Sequence, residues 1–122
     1  MTNSYKLLGI ARAVNLNTAA PADLTTIKIN SAKYVIKEIV VYNPSATSST
    51  AQLGFYTAAA AGGTLIVTPA ALTALTGTGK FMGMTIAAQT DALTGGSLYP
   101  RLTVAQGGSA TADIAVFGYE LP

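Results

Sequence analysis

Short apolar runs rich in β-branched residues recur about every dozen positions along this chain. Each is stopped by Gly, Pro, Asn or Ser. That spacing is the pattern of an all-β sandwich or barrel, because such a run fills one strand and the breakers supply the turns. The runs cover Lys6 to Val14, Thr25 to Ile29, Tyr34 to Tyr42, Ala51 to Thr57, Thr64 to Thr68, Phe81 to Ala87, Leu98 to Val104 and Ala112 to Leu121. They predict about eight strands, the number a jelly roll needs. Within Tyr34 to Tyr42 the alternation slips at Lys37-Glu38, which predicts a bulge or an exposed centre. Helical patterning is poor. A single turn is expected at Ala70 to Leu75, with Pro69 ahead of it and Gly77 beyond, and another at Ala19 to Leu24 around Pro21. The expected architecture is a single-domain antiparallel β-sandwich, a jelly roll, over residues 1–122.

A core of this fold draws on Leu7, Ile10, Ile27, Ile29, Ile36, Ile39, Val41, Leu53, Phe55, Ile66, Phe81, Ile86, Leu102, Val104, Ile114, Val116 and Phe117. The surface is the unusual part. Charged residues are 10% of the chain, against about 25% in an ordinary soluble domain. A lone monomer of this composition shows water a skin of Ala, Thr, Gly and Tyr, with edge strands short of the Lys and Pro that block pairing. Apolar, charge-poor surface marks a protein that works assembled, so a homo-oligomer is expected.

Several chemistries are excluded outright. With no Cys and no His the chain has no thiolate nucleophile, no disulfide and no Ser-His-Asp triad. It also lacks nitrogen or sulfur ligands for zinc and haem. The carboxylates are Asp23, Glu38, Asp91, Asp113 and Glu120. Glu38 and Asp113 lie on different predicted strands and could meet as a glycosidase pair. The plainer expectation is that Glu38 pairs with a neighbouring Lys and Asp113 faces solvent or an interface. Asp91, Asn15 and Asn17 read as turn residues bonding their own backbone rather than as calcium ligands. Gly77-Thr78-Gly79-Lys80 lacks the remaining residues of a phosphate loop and reads as a hairpin turn. No enzyme activity, cofactor or metal is expected.

The net charge of +2 comes from cations scattered singly along the chain, so no basic stripe for nucleic acid is expected. No apolar stretch reaches the roughly 18 residues of a membrane span. Met1 to Lys6 lacks the pattern of a signal peptide, and synthesis in a cytoplasm is expected. Among six tyrosines, most are expected half-buried at strand rims, ring covered and hydroxyl free for water or a partner. Tyr99-Pro100-Arg101 combines an aromatic, a ladder-breaking Pro and a cation, which predicts a strand start, edge or bulge available to a partner. Tyr5, Tyr99 and Arg101 are the candidate partner-contact residues.

The closing stretch Leu98 to Leu121, with Tyr34 to Asn43, Leu53 to Ala58 and Gly62 to Thr64, resembles small structural proteins of tailed bacteriophages and prophages. The resemblance implies a capsid decoration, or cement, protein. It would be a β-sandwich assembled as a dimer or trimer on the outer capsid surface, bridging major capsid subunits of the virion in a bacterial host. It further implies that residues 1–5 serve as an arm that orders on a neighbour. The alternatives are a glycan- or receptor-binding β-sandwich from a phage fibre or spike, with exposed Tyr near Asn or Asp, and another non-enzymatic virion component.

Overall fold

A computed structural model describes residues 5–122. Ten strands form two antiparallel sheets. The first sheet contains β1 (Tyr5–Asn15), β10 (Thr111–Glu120), β4 (Lys33–Tyr42) and β7 (Phe81–Met84) in that order, with β8 (Leu93–Thr94) also pairing β4. The second contains β2 (Ala22–Asp23), β9 (Ser97–Val104), β5 (Gln52–Ala58) and β6 (Gly62–Ala71), with β3 (Ile27–Lys28) also pairing β9. The inner faces meet in one core of buried side chains, including Leu8, Tyr34, Ile39, Phe55, Leu98, Leu102 and Ile114. The chain is therefore the expected all-β sandwich. The strand count exceeds eight because two rows are broken, one between β2 and β3 and one between β7 and β8.

The slip in β4 is a bulge. Phe117 pairs Glu38 and the next residue, Gly118, pairs Ile36, so Lys37 is the extra residue, and Lys37 and Glu38 are both exposed. Other bulges correct the expected core. The irregularity between Leu7 and Gly9 turns Leu8 inward and leaves Leu7 outside. An extra residue at Thr103 turns Val104 outward, since Gln52 pairs Val104 while Leu53 pairs Leu102. Phe81 lies opposite Tyr42 on the outward row of β7 and is 70% exposed. Ile10, Ile86 and Phe117 are half-buried. Leu8, Val14, Leu16, Leu72, Leu75 and Leu98 fill the core in their place.

Neither expected helical turn forms a helix. β6 runs on through Pro69 to Ala71, because Pro69 sits on the sheet edge at a register shift where no ladder donor is required. A tight turn follows, with Leu75 N donating to Leu72 O at 2.9 Å and both leucines buried. The segment around Pro21 becomes β2, held extended against β9 by Leu24 N donating to Pro100 O at 2.8 Å. The Gly77–Lys80 segment joins β6 to β7, which lie in different sheets, so it is a crossing loop and not a hairpin turn.

The edges expected to be bare are covered in part. On one side of the sandwich Asn30 N donates to Leu8 O at 3.0 Å, and a Cβ on Gly9 would stand 2.5 Å from Lys28 O. On the other, Ala87 N donates to Ile66 O at 2.8 Å and Pro69 interrupts the β6 edge. In each case chain crossing between the sheets occupies backbone that would otherwise template another strand.

Candidate functional site

Besides its partly covered edges, the sandwich offers its two outer faces. Register and burial define the outward rows of the first sheet. One row runs Ile10, Ala115, Val40 and Gly83 across β1, β10, β4 and β7. Below it lie Leu7, Phe117 and Glu38, and above it Asp113, Tyr42 and Phe81. From Ala115 through Val40 to Gly83 the middle row is short-chained, and the rows beside it are bulky. The result is an open trough of about 440 Å³, lined by Leu7, Ile10, Glu38, Val40, Tyr42, Ala115 and Phe117. Glu38 is the one ionisable carboxylate in that lining.

Tyr5 closes the lower end of this face. Its ring stacks on Phe117 at 6.1 Å and meets Tyr119 edge-on at 5.5 Å. Its hydroxyl donates to Glu38 Oε1 at 2.6 Å. This bond, with partial burial and the carboxylate charge, pushes the Tyr5 pKa up to about 12. Glu38 is therefore held by a tyrosine and not by the expected lysine. Of the arm expected over residues 1–5, residues 1–4 lie outside the described residues, and Tyr5 itself begins β1.

At the upper end Asp113 is nearly fully buried rather than solvent-facing. Its Oδ1 accepts from Ala13 N at 2.8 Å and its Oδ2 from Asn43 Nδ2 at 3.1 Å. Ala13 and Asn43 both have left-handed backbones, φ 50° and 53°. The carboxylate thus ties together two unfavourable conformations at the ends of β1 and β4. Arg12 lies over it at 3.8 Å, itself largely in solvent. Asp113 and Glu38 are four β10 positions apart in register, about 13 Å along the strand, too far for a two-carboxylate hydrolytic pair.

Tyr99 and Arg101 project from the other outer face, on the second sheet. Tyr99 stands opposite Tyr56, and Arg101 opposite Gly54, over which the Pro69 ring packs. Arg101 Nη1 bonds Asp23 Oδ1 at 2.9 Å, and Asp23 Oδ2 accepts from Ala60 N at 2.9 Å. Ala60 and Ala61 form the left-handed tip of the β5–β6 hairpin, so Asp23 fastens that tip to β2 and β9. The Ala60 N–H, and after it the Arg101 guanidinium, hold the Asp23 carboxyl below its ordinary range against a burial effect of opposite sign. Pro100 faces the gap between β2 and β3, where the missing N–H leaves no partner unmatched. It is therefore inside a central strand, at the expected irregularity and not at an edge: Asp23 to Ile27 advances four residues while Arg101 to Leu98 advances three.

No protein-family model matches the chain, and no curated protein or solved structure matches it. The functional reading rests on these two faces.

The structure does not bring the three candidate contact residues together. Tyr5 lies on one outer face, Tyr99 and Arg101 on the opposite one. Sequence reasoning missed Leu7, Val40, Phe81, Ala115 and Phe117 as one outward surface. The available signal was apolar residues of both parities in the first-sheet strands, Leu7-Leu8, Ile39-Val40-Val41 and Ile114 to Phe117, which marks a sheet apolar on both sides. Among the described residues no cluster of three acidic side chains could hold a metal, and no helix is long and apolar enough to cross a membrane. Asn17 N donates to Asn15 Oδ1 at 2.8 Å, as a turn-forming Asn should.

Proposed function

We propose that this chain is a non-enzymatic structural protein of a tailed-phage virion that binds the outer capsid surface, bridges major capsid subunits and stabilises the head. One observation carries the reading: the outer face of the first sheet is an apolar surface with a single carboxylate in its trough. Such a surface suits broad protein–protein contact, between copies or with the shell they bind, rather than turnover in a cleft. Binding only the assembled lattice would stabilise it by mass action. The winding agrees. With each broken row counted once, eight strands alternate between the sheets as β1, β2/β3, β4, β5–β6, β7/β8, β9 and β10, which we read as a jelly roll. In this reading the chain is made in the cytoplasm of a bacterial host and acts on the virion as a homodimer or homotrimer.

The test is location. Particles produced from the genome that encodes this chain are separated into heads and tails and analysed by mass spectrometry. The chain is expected on heads, in fixed ratio to the major capsid protein, and heads lacking it are expected to burst at lower temperature. Its absence from heads overturns the reading.

A second reading, a glycan-binding module of a fibre or spike, is favoured by the facing Tyr56 and Tyr99 beside the Asp23–Arg101 pair. Binding on a glycan array that is lost in Tyr99→Ala would select it.

A further inference from the structure

We infer that the outer face of the first sheet is where two copies of this chain meet, about a two-fold axis, with the Phe81 ring of each copy seated in the trough of the other. This deepens the assembly reading above by naming its surface and its partner.

The face carries both halves of a self-complementary contact. Phe81 is the most exposed of the exposed large apolar side chains, and it stands at one corner. The trough over Ala115 and Val40 is the hole. Phe81 lies on β7 and Ala115 on β10, two strands apart and so about 10 Å from each other across the sheet. A two-fold axis passing near β4, between them, places each ring over the opposite floor. Such an isologous contact uses knob and hole twice. Gly83, in the floor row beside Val40, leaves open space where a side chain would stand, so the opposing sheet can approach closely.

Strand addition is interrupted at two points, where Asn30 N bonds Leu8 O on β1 and Ala87 N bonds Ile66 O on β6. Four strands and four outward rows give a footprint of roughly 500 Å² per copy, about 1,000 Å² for the pair. That is the lower bound for a specific interface, so the dimer is weak and reversible.

Sedimentation equilibrium of the full chain across a concentration series tests this. The wild type is expected to fit a monomer–dimer equilibrium with Kd in roughly the micromolar range. Phe81→Ser and Val40→Glu are each expected to weaken it about thirtyfold, as loss of a central contact does. Tyr99→Ser, on the opposite face, is expected to leave it unchanged. Phe81 is exposed in the monomer, so the thermal melt of Phe81→Ser at low concentration should match wild type and separate lost contact from lost folding. A wild type that stays monomeric near millimolar concentration, a trimer, or a dimer untouched by Phe81→Ser overturns the inference. These outcomes are independent of the head-binding test: monomers that still decorate heads defeat this surface alone, and dimers absent from heads defeat the virion role alone.

Discussion

The hydroxyl of Tyr5 reaches Glu38 at 2.6 Å although the two residues lie on strands separated by the whole width of β10. The phenol spans that width by lying flat over Phe117, so its ring covers apolar surface while its polar tip satisfies the face's carboxylate.

This bond sets a pH response at the alkaline end. The Tyr5 pKa is raised to about 12 from an ordinary 10.0, so folding favours the protonated phenol. Its contribution is whole below about pH 10 and is lost as pH rises towards 12. The ring is about half exposed, so solvent screening keeps the stability effect small. In an ultraviolet tyrosinate titration, Tyr5→Phe should remove a late step near pH 12. Loss of an ordinary step instead would mean that the Tyr5–Glu38 bond does not persist in solution.

Asp113 should matter more to stability than any other carboxylate in the chain. Asp113→Ala leaves Ala13 N and Asn43 Nδ2 without an acceptor at two left-handed positions. A cost of about 2–3 kcal/mol is expected from chemical denaturation. Arg12→Ala removes only a long, solvated ion pair and should cost under about 0.5 kcal/mol. Equal effects from the two variants would contradict the part assigned to the buried carboxylate.

Asp23 governs the acid side. Its carboxyl is held below 3.8 by the Ala60 N–H first and by Arg101 after it, so folding favours the ionised form. That contribution is present above about pH 4 and disappears as pH falls through the lowered value. Asp23→Asn should flatten the loss of stability below pH 4 in thermal melts, and should raise amide exchange at Ala60 and Ala61. Unchanged exchange at the hairpin tip would show that Asp23 does not fasten it.

The strand rows were legible because each ends at a breaker that the fold uses, such as Asn43-Pro44 after β4. The Lys37 bulge was legible for the same local reason, since two charged neighbours cannot both point inward. What could not be read was parity after an irregularity. Leu7 and Leu8 are chemically identical, and only the misregister against Phe117 and Val116 decides which is buried. Of the expected strand start, edge or bulge, Pro100 meets the last, since Asp23 to Ile27 advances four residues while Arg101 to Leu98 advances three; the rule for Pro concerns only its missing N–H. A gap in the neighbouring row, between β2 and β3, meets the same need inside a sheet. The apolar face was legible only as a shortage of charge. Its members Leu7, Val40, Phe81, Ala115 and Phe117 sit on four strands, and long-range register alone assembles them.

Two glycines of the first sheet should respond in opposite ways to an added methyl group. Gly118 pairs Ile36 next to the Lys37 bulge, and that bulge brings the Val35 carbonyl over it. A Cβ there runs into the Val35 oxygen, with Leu8 Cδ1 at 3.0 Å on the core side. Backbone carbonyl on one side and packed core on the other leave nothing that can yield cheaply. Gly118→Ala should therefore cost more than about 3 kcal/mol, or prevent folding. Gly83 pairs Val40 on the same sheet, yet a Cβ there has nothing within 4 Å. Gly83→Ala also restricts the unfolded chain, so it should be neutral or stabilising by up to about 1 kcal/mol in the monomer. Melting both variants at a concentration below self-association checks the pair. A well-folded Gly118→Ala, with a Tm equal to that of Gly83→Ala, would mean that β10 and β4 do not meet in this register.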